Sequence, residues 1–87
     1  AQDFPTAIAA FRKLVADYPD RGEAHNALGF ALYLDGQFDE AIVTFEKALE
    51  LAPSDDAARR NLILAGGRRA LESSYREGLG RIQALKD

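Results

Sequence analysis

The chain contains no cysteine, no methionine and a single histidine among its 87 residues. Without cysteine, neither a disulfide framework nor a thiolate metal site can stabilise the fold. The lone His25 cannot form a metal site, because such sites need three or four ligands. We therefore predict that no metal is bound, and we expect His25 to pack between helices.

Long apolar runs are also missing. No segment approaches the ~18 consecutive apolar residues that span a bilayer, and no charged-apolar-small signal pattern opens the chain. We therefore predict a soluble chain with no membrane insertion. We favour the cytoplasm as its location, although no motif in the sequence identifies the compartment. Because residue 1 is alanine and methionine is absent, we expect a piece of a longer protein.

Arrangements typical of catalysis are absent as well. Ser54, Ser73 and Ser74 have no histidine at a plausible helical spacing, and no glycine-rich loop opens a helix after a strand. The pair Gly66-Gly67 is too short to cradle a phosphate. The sequence therefore predicts no catalytic residue, no cofactor-binding residue and no enzyme within these residues.

The charge is unevenly distributed. The net charge of the whole chain is −3, but residues 1–56 carry −7 and residues 57–87 carry +4. Aromatic residues do not alternate with the arginines of the basic part as they do in surfaces that stack on bases. A solvated arginine surface is therefore favoured, and we predict no nucleic-acid binding. Its arginines are Arg59, Arg60, Arg68, Arg69, Arg76 and Arg81.

The most informative pattern present is a period of 34 residues. Six of the sixteen residues in 4–19 recur as the same residue in 38–53. They are Phe4, Ala7, Ile8, Phe11, Lys13 and Pro19, which recur as Phe38, Ala41, Ile42, Phe45, Lys47 and Pro53. A fixed period of this size indicates stacked helical hairpins, none of which can bury its apolar face alone.

The apolar spacing and the helix-stop signals predict five helices. The first begins after Asp3, a good N-cap, and ends before Pro19. The next two cover about residues 23–34 and 38–51, and Ser54 or Asp55 caps a fourth near residue 57. A fifth covers about residues 68–85, although Gly66-Gly67 is compatible with either a turn or a weak point in one long helix.

The segment Gly22–Asp55 resembles a tetratricopeptide repeat, a pair of antiparallel helices. In that family a Leu-Gly pair lets the helices approach closely, here Leu28-Gly29. A glycine marks the turn and an aromatic residue opens the second helix. In this sequence these are Gly36 and Phe38, followed by the seam Ala41, Phe45 and Ala48 and the closing Pro53.

The resemblance implies an all-α domain in which antiparallel hairpins stack as a right-handed superhelix. It divides the single domain 1–87 into the second helix of a partial repeat (1–21), a complete repeat (22–55), and a degenerate helix plus a capping helix (56–87). Ile63 stands where the next close-packing glycine belongs, so the third unit departs from the pattern.

The resemblance also implies a concave ligand surface on the first helix of each unit. Position by position, that surface contains Glu23, Asn26, Phe30, Tyr33, Arg60 and Leu64. Two interpretations remain open. In the first, Phe30 and Tyr33 anchor a peptide while Arg60 binds its acidic groups. In the second, a neighbouring helix, such as the C-terminal one, already covers Phe30. Some members of that family bind a C-terminal carboxylate with Lys and Asn at fixed groove positions. Here Asn26 stands where the Lys is expected and Phe30 where an Asn is expected, and only Asn61 fits, so we predict no carboxylate clamp.

Three functions fit these observations. The favoured one is a protein–protein interaction module, a scaffold or adaptor that binds a peptide or partner protein. The second is homo-oligomerisation, in which another copy covers the flank formed by Phe4, Phe11 and Leu14. The third is a substrate-selecting accessory domain of a larger enzyme.

Overall fold

The computed structural model describes residues 3–86, and this part of the chain is all-α, as predicted. It contains four helices and no strand. The helices are α1 (Phe4–Asp17), α2 (Gly22–Leu34), α3 (Phe38–Leu51) and α4 (Asp56–Lys86). Each helix packs on the next one along the chain, and α2 also touches α4.

The helix ends follow the predicted capping residues. The Asp3 carboxylate accepts a hydrogen bond from the Thr6 backbone N–H at 3.1 Å, which fixes the start of α1. At the start of α4, Asp55 accepts from the Ala58 N–H at 3.1 Å, so Asp55, and not Ser54, is the cap. Helix α1 ends at Asp17, two residues before Pro19.

The turn between α2 and α3 depends on Gly36. Its φ is +83°, a left-handed backbone conformation that residues with a Cβ adopt only at a cost in free energy. The Gly36 N–H donates to the Tyr33 carbonyl at 3.0 Å, and the Gln37 N–H donates to the Leu32 carbonyl at 2.9 Å. This pair of bonds closes the helix as a Schellman motif and turns the chain into α3.

The core lies between α2 and α3. Phe45 and Leu32 are its largest fully buried side chains, and Ala41 and Ala48 are fully buried beside them. Phe45 lies directly against the backbone at Gly29, where an added Cβ would be only 2.6 Å from the ring. The expected seam of small and large residues is therefore present, and Gly29 permits its close approach.

The expectation of five helices is wrong for the described residues, because the fourth and fifth are one continuous helix of 31 residues. Gly66 and Gly67 both lie inside α4, and neither has a positive φ. Arg69 donates to the Asp39 carboxylate at 3.1 Å, so contacts with α3 resume just beyond the two glycines. The glycines weaken α4 locally without ending it.

Candidate partner-binding surface

The residues of the predicted groove lie on α2 and on the first half of α4. The Asn61 side-chain amide donates to the Asn26 oxygen at 3.1 Å, and both side chains are half-buried. This bond joins two positions separated by 35 residues in sequence. It places the two helices side by side, and it occupies the amide that a carboxylate ligand would otherwise use.

An aromatic row continues along the same side. The Phe30 and Tyr33 rings are stacked with centroids 6.3 Å apart, and Tyr33 meets Phe38 at 5.7 Å. The Arg68 guanidinium lies 5.8 Å from the centre of the Phe38 ring, within the range of a cation–π interaction. The row therefore extends from α2 through the start of α3 to α4.

Phe38 and Arg68 were not among the predicted site residues. The sequence identifies Phe38 only as the aromatic residue that opens α3, and Arg68 only as part of a solvated surface. The sequence signal that could have identified Phe38 is its position two residues after Gly36, because a tight turn returns the chain to the neighbourhood of Tyr33.

Phe30 is accessible in this arrangement. Its side chain is 45% exposed, and Leu64 on the neighbouring part of α4 is 52% exposed. Tyr33 is half-buried against the core. Phe30 on α2 and Leu64 on α4 therefore both expose apolar surface to solvent.

The predicted surface also contains charged side chains of both signs. Glu23 and Arg60 are both exposed, one on each helix. Within residues 3–86, Arg60 belongs to none of the ion pairs. By contrast, three other arginines of the basic segment are paired: Arg59 with Asp56, Arg69 with Asp39 and Arg76 with Glu72. Neither Arg60 nor Arg68, which lies over the Phe38 ring, has a carboxylate partner within residues 3–86.

A second, more polar cleft of about 560 Å³ lies between the α2–α3 turn and α4. Asp39, Glu40, Arg69 and Arg76 are among its lining residues. These charges are largely satisfied within the molecule, because Arg69 pairs with Asp39 and Glu40 pairs with Arg12. The cleft was not predicted, since it depends on α4 continuing beyond Gly67.

Glu40 links the start of α3 to α1. The Arg12 guanidinium lies 2.6 Å from its carboxylate, and this hydrogen bond holds the pKa of Glu40 below its ordinary value of 4.5. The charge also lies in the first turn of α3, where the helix dipole favours an anion. Glu40 therefore acts as a structural contact between helices. Nowhere in residues 3–86 do three or more metal-ligating side chains cluster.

His25 is buried, at 8% exposure, and its Nε2 lies 2.9 Å from the Pro19 carbonyl oxygen. A carbonyl oxygen only accepts hydrogen bonds, so Nε2 carries the hydrogen and donates it. The side chain thus ties α2 to the loop that follows α1, as expected for a packing residue.

The predicted uncovered flank of α1 is partly covered. Phe4 and Phe11 are half-buried and pack against the core, while Leu14 is exposed. The core cluster against which they pack includes Ile8 on α1 and Leu28 and Leu32 on α2. The flank therefore presents less apolar surface than the sequence predicted.

Four helices in which each hairpin stacks on the next define a helical-repeat protein. The tetratricopeptide repeat family model matches residues 1–56, which include α1, α2 and α3. The chain belongs to the tetratricopeptide repeat family. Repeats of this family generally mediate protein–protein interactions.

A curated relative supports the same family. The chain is 34% identical over 56 residues to the small glutamine-rich tetratricopeptide repeat-containing protein 2 of Mycosarcoma maydis. The aligned residues are 64% of this chain and 15% of that protein, so the chain spans only a small part of the relative's length. Among the helices described, none combines the length and the apolar character needed to cross a membrane.

Proposed function

We propose that this chain is a non-catalytic interaction module that binds an extended or helical peptide of a partner protein along the surface between α2 and α4. Phe30, Tyr33 and Leu64 supply the apolar anchor sites. Arg60 and Glu23 lie at the rim and set the direction of the peptide. Exposed aromatic rings on a rigid helical frame are typical of the positions that dominate peptide affinity.

The observation that carries the proposal is the exposure of Phe30 in a folded groove. Its ring is 45% exposed although the surrounding helices are fixed by the Asn26–Asn61 bond and by the Phe30–Tyr33 stack. A preformed apolar surface loses little conformational freedom when a ligand binds. Since Arg60 lacks a carboxylate partner in residues 3–86, we expect preferred peptides to combine apolar side chains with an acidic residue.

Selection from a displayed random-peptide library tests this function. Peptides selected on the unmodified protein are then measured against Phe30→Ala and against Val43→Ala. Val43 is an exposed aliphatic residue on α3, outside the groove. We expect Phe30→Ala to weaken peptide binding about tenfold or more, since burial of a phenylalanine contributes about 1.5–3 kcal/mol. We expect Val43→Ala to leave it unchanged.

The expected preference for acidic peptides is tested with a second pair of variants. Arg60→Glu reverses the rim charge and should disfavour acidic peptides, whereas Arg59→Glu alters a neighbouring arginine that pairs with Asp56. Peptides that bind equally well to Phe30→Ala, or a library that yields no peptide, would contradict the proposed groove.

Two other functions remain predictions. Self-association through the α1 flank depends on a smaller exposed surface, because Phe4 and Phe11 pack against the core. A substrate-selecting role beside an enzyme domain stays a prediction as well.

A further inference from the structure

A small cleft lies where the start of α3 meets α4, outside the groove proposed above. Its volume is about 300 Å³, and we call it the Phe38 pocket after one of its lining residues, which are Phe38, Arg68, Leu71, Glu72 and Tyr75. Phe38 is half-buried, whereas Leu71 and Tyr75 are each 68% exposed. Small-molecule sites occupy about 300–1,000 Å³, so a cleft at the lower end of this range suits a single large side chain.

The Phe38 pocket is continuous with the proposed groove. The aromatic row that begins at Phe30 and Tyr33 ends at Phe38, and the last two ring centroids are 5.7 Å apart. On α4, positions 60, 64, 68, 71 and 75 fall within an arc of about 80° and therefore share one face. Asn61, which bonds to Asn26 of α2, lies beside this face. A ligand in the groove can therefore reach the pocket along one side of α4.

The carboxylates nearest the Phe38 pocket are already paired within the molecule. Glu72 pairs with Arg76, and Asp39 in the first turn of α3 pairs with Arg69. Arg68 has no carboxylate partner within residues 3–86. The pocket thus combines apolar side chains with one unpaired cation, which makes it complementary to an apolar side chain that lies next to a carboxylate.

We infer that an extended partner peptide occupies both places, with a second apolar side chain in the Phe38 pocket and an acidic residue beside it that faces Arg68. This inference rests on the proposed peptide-binding function and names a second subsite for the same ligand. Arg60 and Arg68 are about 12 Å apart along α4, at 1.5 Å per residue. An extended peptide covers that distance with about four residues. The preferred ligand therefore carries two apolar–acidic pairs about four residues apart.

Peptides selected on the unmodified protein test the second subsite through two matched substitutions in the same half of α4. Leu71→Ala removes a side chain that lines the pocket, whereas Leu85→Ala removes an exposed one near the end of the helix. We expect Leu71→Ala to weaken binding about fivefold or more, measured by fluorescence anisotropy of labelled peptide, and Leu85→Ala to leave it unchanged. Because both side chains are mostly exposed, the Tm of each variant should match that of the unmodified protein.

The role of Arg68 is tested by a double-mutant cycle between protein and peptide. Arg68→Gln should weaken the selected peptide about two- to fivefold, as expected for an exposed ion pair. It should have no effect once the second acidic residue of the peptide is replaced by its amide counterpart. Arg81→Gln is the control, because Arg81 is exposed on α4 and does not line the pocket. An equal loss with the acidic and the amide peptide would refute the pairing of Arg68 with the ligand.

The groove and its second subsite fail in different ways. Peptides that lose affinity for Phe30→Ala but bind Leu71→Ala as tightly as the unmodified protein would leave the groove in place and refute the second subsite. Equal losses from Leu71→Ala and Leu85→Ala would show a general effect on α4 and would refute it as well. Peptides that are insensitive to both Phe30→Ala and Leu71→Ala would refute the groove and the subsite together.

Discussion

Gly29 is the position at which α2 and α3 approach most closely, and Gly29→Ala measures how strongly that approach is required. The new methyl carbon would lie 2.6 Å and 2.7 Å from two carbons of the Phe45 ring. Favourable carbon–carbon contacts lie at about 3.5–4.0 Å, so the methyl group is about 1 Å too close. Phe45 is fully buried, and its ring has no open space into which it can move.

The expected change in unfolding free energy for Gly29→Ala is the difference between two opposing effects. Alanine in place of glycine inside a helix stabilises by about 1 kcal/mol. Overpacking a dense core costs about 1–3 kcal/mol. The control Gly67→Ala has the first effect alone, because an added Cβ at Gly67 meets nothing within 4 Å. The two variants should therefore differ in unfolding free energy by about 1–3 kcal/mol, with Gly67→Ala the more stable.

Urea and thermal unfolding followed by far-ultraviolet circular dichroism measure this difference. For a domain of this size, 1 kcal/mol corresponds to about 4–8 °C in Tm. In a double-mutant cycle, Phe45→Leu should relieve part of the Gly29→Ala cost, because the clashing ring atoms are removed. If Gly29→Ala is as stable as Gly67→Ala, the close helix approach is not what this glycine provides.

Two further effects are expected from the same packing and from the α1–α3 ion pair. Ala41→Leu should cost about 1–3 kcal/mol in unfolding free energy, because Ala41 is fully buried in the seam, whereas Val43→Leu on the exposed side of α3 should change little. A thermal midpoint equal to that of the unmodified protein would show that the seam is misplaced. The lowered pKa of Glu40 means that its contribution is complete above its unfolded value near 4.5 and is lost as the pH falls through the lower folded value. Because Arg12 and Glu40 are nearly half exposed, the loss should stay below about 1 kcal/mol, and it should be absent in Glu40→Gln when unfolding is compared at neutral and acidic pH.

The sequence predicts the hairpin well because its decisive residues act locally or through a repeated contact. Asp3 caps α1, Gly36 closes α2 with a positive φ, and Leu28-Gly29 marks the close approach to Phe45. Each of these roles is set by residue type and by spacing along a helix. The 34-residue period then places equivalent residues in the neighbouring unit.

Whether α4 breaks or continues at Gly66-Gly67 is harder to predict from the sequence, because the local cost of the glycines and the contacts made beyond them act in opposite directions. Gly66-Gly67 costs about 1 kcal/mol per glycine in a helix, which favours a break. Contacts between distant residues, such as Arg69 with Asp39 and Arg68 with Phe38, accompany a continuous helix. Such contacts join residues 30 positions apart, and no local pattern reports them. The Tyr33–Phe38 contact, in contrast, follows from the tight turn at Gly36, so the position of Phe38 just after that glycine is a local signal for it.

The continuity of α4 joins a half that packs into the core to a half that does not. Ala65 is fully buried in the core, whereas the residues beyond Gly66 are almost all exposed. The first half of α4 is therefore held by the core, and the second half depends on helix continuity across Gly66-Gly67. A substitution such as Gly67→Ala, which stiffens this junction, should increase the helical order of the second half, because that half is the part that the core does not hold.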